Sequence, residues 1–158
     1  MSIRPNKTSS NGKYHAIVGT FIPLYPDKFI GTNNPRFKSK LEYNMMRYLD
    51  KSPAVIKWKY EPFGIKYKDL SSNKIRTYYI DFVATLQINS STVKKVWIEV
   101  KSLRDTLKPT YSKNKKMSNL KLEETQWIKN QCKWKTAKKL AKMHGYEFII
   151  ITEDQLKF

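Results

Sequence analysis

The chain has little of what secreted, disulfide-bonded or membrane-spanning proteins require. One cysteine, Cys132, occurs among the 158 residues, which excludes an intrachain disulfide and a cysteine-rich zinc site. No apolar run approaches the roughly 18 residues that span a bilayer. The opening MSIRPNKTSSNGK also lacks the apolar centre of a signal peptide. The sequence therefore predicts a protein that is neither secreted nor inserted in a membrane.

Acidic residues are scarce as well. The chain has 31 Lys and Arg against 13 Asp and Glu, a net charge of +18. Such an excess opposes compaction and indicates a polyanionic partner, here nucleic acid. An apolar content of 40% is nevertheless typical of a folded chain. We expect one folded domain that binds nucleic acid, with a purely binding or structural protein as the alternative that specific residues must exclude.

Apolar periodicity predicts a mixed α/β domain at residues 36–158, after an irregular arm at residues 1–35. A helix is expected at residues 39–50 and a longer one from about Leu122 to His144. The closing segment YEFIIITE predicts a strand parallel to a neighbour, because a helix crosses over before it. Four segments predict an antiparallel meander. They are AVIKWKYEP, FGIKYKDL, IRTYYIDFVATLQI and VKKVWIEVKS.

Two carboxylates stand inside predicted strands, where an ionised acid is costly without a compensating cation. Asp81 is expected mid-strand in TYYIDFVAT, on the face opposite to Ile80 and Phe82. Glu99 occupies the next strand, so the two acids can lie side by side. Such a pair repels unless a divalent cation lies between its members. Mg²⁺ bound by one or two carboxylates, water and a phosphate fits this need.

Two further residues extend this cluster. Lys101, two residues after Glu99, points to the same side of the strand, where its ammonium can orient an attacking water or stabilise charge on a phosphate. Glu42 borders the buried stripe of the first predicted helix, so it can reach the same metal or a second one. Two acids, an amine and a metal predict phosphodiester hydrolysis.

These residues resemble the PD-(D/E)xK nuclease superfamily, and most nearly its TnsA-like transposon endonucleases. The resemblance covers about residues 36–154 through SKLEYNMMRYLD, YEPFGIKY, RTYYIDF, WIEVKS and AKKLAKMHGYEFIIITE. It implies a restriction-endonuclease-like αβββαβ core with a mixed sheet flanked by helices. It also implies Glu42, Asp81, Glu99 and Lys101 as catalytic residues, and a metal held by the three acids and the Val100 carbonyl. The cofactor implied is Mg²⁺, with Mn²⁺ as a substitute.

The whole chain, including its length and lysine-rich character, further resembles a group of nucleases that act at head completion in T-even-type tailed phages. That likeness implies endo- and exonucleolytic trimming of packaged DNA. It also implies portal or neck proteins as partners, and action in the host cytoplasm during assembly, with retention in the virion left open. The family often has a proline before its aspartate, where this chain has Ile80. An RNA substrate would use the same chemistry and also stays open.

Each candidate has an alternative explanation. Ser39 to Glu42 matches an S-x-x-E capping box, which would occupy the Glu42 carboxylate at the helix start. Glu99 and Lys101 could belong to the solvated face of an edge strand. Glu61, before Pro62, is expected to be a solvated turn acid.

Residues 103–121 are predicted to form a mobile basic loop that contacts the phosphate backbone with little sequence specificity. Basic residues of this loop and of the following helix are the DNA-binding candidates, although a solvated basic surface would have the same composition. They are Arg104, Lys108, Lys113, Lys115, Lys116, Lys135 and Lys138.

Overall fold

The computed structural model describes residues 17–156 and has the mixed α/β architecture expected. Its α-helices are α1 (Lys40–Lys51), α2 (Leu103–Thr106) and α3 (Met117–Met143), and a short 3₁₀ helix covers Pro26–Lys28. Its strands are β1 (Gly19–Thr20), β2 (Arg36–Phe37), β3 (Val55–Tyr60), β4 (Gly64–Asp69), β5 (Lys74–Tyr79), β6 (Phe82–Gln87), β7 (Val93–Val100) and β8 (Glu147–Ile151). None of the helices in this part of the chain has the length and apolarity to cross a membrane.

The central sheet has four strands in the order β3-β6-β7-β8. Strands β3, β6 and β7 pair antiparallel, whereas β8 joins β7 in parallel after the crossover through α3. Counted with α1, these elements follow one another as αβββαβ, which confirms the expected core. The single predicted meander is wrong in one respect. Strands β4 and β5 pair only with each other and form a separate hairpin between β3 and β6.

Each face of the central sheet carries its own hydrophobic core. On the α1 side, Met46 and Leu49 pack against Trp58, Phe82 and other sheet residues. On the α3 side, the hairpin and Trp97 of β7 pack against the small residues of the long helix. The side chains of this second core are Ile65, Tyr67, Tyr78, Ile80, Trp97, Ala137 and Ala141. Because β7 lies between β6 and β8 and contributes to both cores, the edge-strand explanation for Glu99 is wrong.

The predicted long strand around Asp81 is in fact two strands. β5 ends at Tyr79 and β6 begins at Phe82, so Asp81 lies in the short break between them. Ile80 joins the α3-side core, whereas Phe82 joins the α1-side core, although the sequence pattern predicted one common face. Before this break the chain pairs with β4, and after it the chain pairs with β3 and β7. Asp81 therefore lies at one end of the central sheet and not in the middle of a strand.

The basic segment at residues 103–121 also differs from the prediction of one mobile loop. It contains α2, and α3 begins at Met117 rather than near Leu122. Ser118 and Asn119 are weak helix formers, which made this first turn resemble a loop. Leu120 is only 8% exposed and anchors the turn by tertiary packing.

Residues 17–35 pack on the domain through specific contacts. Phe21 is buried in the α1-side core. The buried carboxylate of Asp50 accepts hydrogen bonds from the N–H groups of Leu24 and Tyr25, at 2.9 and 3.1 Å. The first 16 residues of the predicted arm lie outside the described part of the chain.

Candidate active site

Asp81 and Glu99 meet at one end of the central sheet. Phe82, which opens β6, pairs with Ile98 of β7, so the residue before β6 lies beside the end of β7. Asp81 Oδ2 accepts a hydrogen bond from the Val100 N–H at 2.9 Å. The Asp81 carbonyl accepts another from the Glu61 N–H at 2.8 Å. These backbone contacts fix Asp81 between the ends of β3 and β7.

Glu99 is buried on the α3 side of the sheet, where its side chain is only 6% exposed. The Tyr78 hydroxyl, carried by the hairpin, donates a hydrogen bond to Glu99 Oε2 at 2.5 Å. Burial and the charge of Glu99 raise the pKa of Tyr78 far above its usual range. The phenol therefore remains a donor and holds the carboxylate in one orientation.

The two acids form an electrostatically strained pair. Burial first, and then the neighbouring Glu99 carboxylate, raise the pKa of Asp81 well above its usual range, despite the opposing hydrogen bond from Val100. No Lys or Arg of the described residues lies within ion-pair distance of either acid. Neither acid is therefore paired directly with a cationic side chain of the described residues, although Lys133 lies within electrostatic reach of both.

Glu42 stands at the start of α1 and has several contacts of its own. Ser39 Oγ accepts from the Glu42 N–H at 3.1 Å, which is one half of the predicted capping box. The Glu42 carboxylate does not return to Ser39 but accepts from the Lys38 N–H at 2.7 Å and the Tyr60 hydroxyl at 3.0 Å. Both donors bind Oε2. Oε1 makes no hydrogen bond with a described residue.

Within residues 17–156, no group of three or more Asp, Glu, His and Cys side chains is arranged to hold a metal ion. Asp81 and Glu99 nevertheless interact directly, and Glu42 is near enough to Asp81 to raise the pKa of its carboxyl. Mg²⁺ does not require a complete protein cage, because it commonly binds one or two carboxylates and keeps several waters. The hard oxygen donors of this pair, which no Lys or Arg of the described residues binds directly, fit such an ion.

Two lysines lie near the acid pair. The Lys101 N–H bonds the Ile151 carbonyl at 3.0 Å, so strand pairing continues past β7 and the Lys101 side chain follows Glu99 on the same face. Lys133 of α3 is half-buried, and its ammonium lies 5.5 Å from the centre of the Tyr78 ring. Burial lowers the pKa of Lys133, as does Lys101, while Glu99 opposes the shift.

Sequence reasoning missed Tyr78 and Lys133. Lys133 is not among the basic residues predicted to act, yet it lies three residues after Asn130 and four before Ala137, both fully buried. That spacing was a usable signal, since residues so placed share one helix face. Tyr78 gave no comparable signal, because its contact with Glu99 depends on the hairpin leaving the sheet. Glu61, expected to be solvated, instead pairs with Lys38 at 2.6 Å.

The predicted DNA-binding residues fall into two groups. Arg104, Lys108 and Lys115 line one cleft beside α3, and Lys115 is bound to Glu123 at 2.7 Å. The other group is exposed on the basic loop and on α3, outside the cleft beside α3. Its members are Lys113, Lys116, Lys135 and Lys138.

Comparisons with known proteins agree with the geometry. The family model of the TnsA-like endonuclease N-terminal domain matches residues 52–153, which include Asp81, Glu99 and Lys101. The chain is also similar to the head completion nuclease of Enterobacteria phage T4. The two are 30% identical over 148 residues, which cover 90% of this chain and 95% of the phage protein.

Proposed function

The chain belongs to the TnsA-like endonuclease family, and from this premise we propose that it is a Mg²⁺-dependent deoxyribonuclease. The single observation that carries the proposal is the pairing of half-buried Asp81 with buried Glu99, neither in an ion pair with a described Lys or Arg, with Lys101 on the same face. A protein that only binds DNA has no need for this pair, because buried like charges destabilise the fold.

We assign Asp81, Glu99 and the Val100 carbonyl as the metal ligands, with Mn²⁺ as a substitute for Mg²⁺. The Val100 N–H points to Asp81, and the N–H and C=O of a strand residue point to the same neighbour, which supports the carbonyl as a ligand. The Glu42 Oε1 is left for the same ion, a second ion or a bound water. When bound, Mg²⁺ supplies a Lewis acid that polarises the scissile phosphate and lowers the pKa of a bound water.

The remaining catalytic work falls to side chains of this chain. The Lys101 ammonium has no ion-pair partner among the described residues, so it is available to orient the attacking water and to stabilise negative charge on the phosphate. Tyr78 holds Glu99 in position through its hydroxyl. Lys133 adds a second positive charge on the α3 side.

The biological setting follows from the phage relative. We propose that the enzyme trims packaged DNA at head completion, before heads and tails join, in the cytoplasm of the infected host. Portal or neck proteins would then be its neighbours. We assign the nuclease domain to residues 36–158, and the core contacts of Phe21 indicate that residues 17–35 pack against it.

The test is incubation of the purified chain with circular and linear DNA in Mg²⁺, Mn²⁺ or EDTA. We expect cutting with either ion, none in EDTA, and none by Glu99→Ala or Lys101→Ala protein that still binds DNA. The exposed Lys139→Ala variant is the matched control for loss of a lysine. DNA binding without metal-dependent cutting would contradict the proposal and favour a purely structural DNA-binding protein. Cutting of the circle separates an endonuclease from an exonuclease.

A further inference from the structure

A cleft of about 280 Å³ lies between the basic segment after β7 and the first half of α3. None of the proposed catalytic residues or metal ligands lines it. Its walls include Arg104, Lys108 and Lys115 from the basic segment and Glu123, Trp127 and Asn130 from α3. Its size is close to the lower end of the range, about 300 Å³, for pockets that enclose a small organic ligand.

Asn130 gives this cleft an unused hydrogen-bond donor. The residue is 0% exposed, and its Oδ1 accepts from Gln126 Nε2 at 3.0 Å. Its Nδ2 has no partner among the described residues, nor has the buried Nε1 of Trp127. Buried amide groups are almost always hydrogen-bonded, so an orphan donor beside a cleft requires an explanation. A ligand that brings acceptor atoms supplies one.

The charges of the cleft leave it net positive, because Arg104, Lys108 and Lys115 line it against two acids, Asp105 and Glu123. Glu123 is engaged by Lys115 at 2.7 Å and by Arg104 at 3.5 Å, so its carboxylate is compensated. The Arg104 side chain remains 82% exposed. The Lys108 ammonium lies 5.9 Å from the centre of the Trp127 ring and forms no ion pair with a described residue. The cations suit a phosphate group, and the unpaired donors of Asn130 and Trp127 suit acceptor atoms elsewhere on the same ligand.

The cleft lies next to the proposed active site. Asn130 precedes Lys133 by three residues on α3, which places the two side chains on neighbouring positions of one helix face. Lys133 in turn is within electrostatic reach of Glu99 and Lys101. Arg104 follows Lys101 by three residues, so each wall of the cleft is close in sequence to a lysine near the acid pair.

We propose that this cleft binds one nucleotide of the DNA strand, next to the phosphodiester that is cut. The phosphate lies against Arg104 and Lys108, and an acceptor atom of the same nucleotide receives the Asn130 Nδ2 donor. The position next to a cut bond rests on the proposed nuclease function, whereas the binding itself does not.

The first experiment follows the Asn130 side-chain amide signals by ¹⁵N NMR in EDTA, with assignment from their loss in Asn130→Leu protein. A short DNA duplex with a single-stranded end, and deoxyadenosine monophosphate, are the probes. We expect both to shift these signals. A shift with the mononucleotide but not with DNA would overturn the strand subsite in favour of a free-nucleotide site. No shift with either probe would overturn the cleft as a nucleotide site.

The second experiment compares DNA binding by variants in EDTA. Asn130→Leu removes the orphan donor at similar volume, so we expect an unchanged or higher Tm together with a Kd weakened about three- to tenfold. The matched control, Asn119→Leu, changes an exposed residue of the same helix and should keep the wild-type Kd. Wild-type affinity in Asn130→Leu protein would contradict the subsite.

A surface variant keeps the question answerable if Asn130→Leu protein does not fold. Lys108→Gln should weaken binding more than Lys139→Gln, which removes the same charge from the exposed face of α3. Equal effects would overturn the subsite. These measurements involve no cutting, so their result is independent of the nuclease assay. Nucleotide binding in the cleft can be shown even if Glu99→Ala protein still cuts DNA, and it can be disproved even if Glu99→Ala abolishes cutting. Failure of the cleft and failure of the proposed function are therefore distinguishable.

Discussion

At the scale of single residues, the site depends on how Glu99 is held. A buried carboxylate with one direct donor, the Tyr78 hydroxyl, has a fixed orientation only while that donor is present. Groups that orient a metal ligand from behind commonly change metal affinity or activity by about 10–100-fold when removed. The hairpin residue Tyr78 is thus a positioning residue for the proposed reaction.

The prediction for Tyr78→Phe follows from this contact. We expect DNA cutting to fall about 10–100-fold at a fixed, limiting Mg²⁺ concentration, with the apparent Mg²⁺ affinity reduced. The conservative change keeps the ring in its core and removes only the hydroxyl. Tyr67→Phe, in the same hairpin and core, is the matched control and should cut like the wild type. Equal Mg²⁺ titration curves for the two variants would show that Tyr78 does not position Glu99.

Lys133 gives a second prediction at this scale. Its ammonium is half-buried near Glu99 and Lys101, whereas Lys135 is exposed on another face of α3. Lys133→Gln should therefore lower the single-turnover cutting rate about tenfold or more. Lys135→Gln should change only the salt dependence of DNA binding. The rates are compared with protein in saturating excess over DNA. Equal single-turnover rates for Lys133→Gln and Lys135→Gln protein would show that Lys133 does not contribute to the site.

At the scale of elements, the β4–β5 hairpin connects stability to the site because it carries Tyr78. Its turn is organised by Asp69, whose buried carboxylate accepts from Ser71 Oγ at 2.5 Å, Ser72 Oγ at 2.8 Å and Arg76 Nε at 2.7 Å. Burial opposes ionisation of Asp69. The hydrogen bonds from Ser71, Ser72 and Arg76 outweigh it and hold the pKa of Asp69 below its usual range.

A lowered carboxyl pKa has a defined effect on stability. The contribution of Asp69 is fully present above its unfolded pKa of about 3.9 and is lost as the pH falls through the lower folded value. Asp69→Asn should therefore lower Tm by several degrees at neutral pH, and the difference from the wild type should narrow below about pH 4. Asp27→Asn, at an exposed acid, is the control and should keep the wild-type Tm. A gap that is constant with pH would contradict this account.

Much of the element order was predictable from the sequence. The spacing of Leu41, Met45 and Leu49 located α1, and a crossover helix before an apolar segment predicted the parallel pairing of β8. The break at Asp81 was not predictable in the same way. Ile80 and Phe82 are both apolar and both buried, and alternation alone does not say which of two cores each one joins.

The candidate site was predictable to a similar extent. Asp81, Glu99 and Lys101 were predictable as site residues, because charged side chains inside apolar strands are unusual. The contacts around that pair come from elements distant in sequence. Tyr78 arrives on a hairpin that leaves the sheet, and Lys133 was indistinguishable from its solvated neighbours without the packing of α3. Asn130 gave no signal either, because a buried polar residue of a helix looks like a solvated one in the sequence.

At the scale of the whole molecule, the net charge of +18 is the feature that attracts a polyanion. Several of the acids already form ion pairs with a Lys or Arg of the chain. Examples are Asp69–Arg76, Glu61–Lys38 and Glu123–Lys115. The exposed lysines of the basic loop and α3 are left to attract a polyanion. The pair of Asp81 and Glu99 is the exception to this arrangement, since neither acid forms an ion pair with a Lys or Arg of the described residues.

The most direct test of the central claim is Mn²⁺ binding, measured by electron paramagnetic resonance in protein samples whose DNA cutting is assayed in parallel. We predict that wild-type protein binds Mn²⁺ and cuts DNA. Glu99→Gln protein should do neither, and Lys101→Met protein should bind Mn²⁺ without cutting. Glu99→Gln protein that binds Mn²⁺ and cuts DNA like the wild type would contradict the assignment of Asp81 and Glu99 as a catalytic metal site.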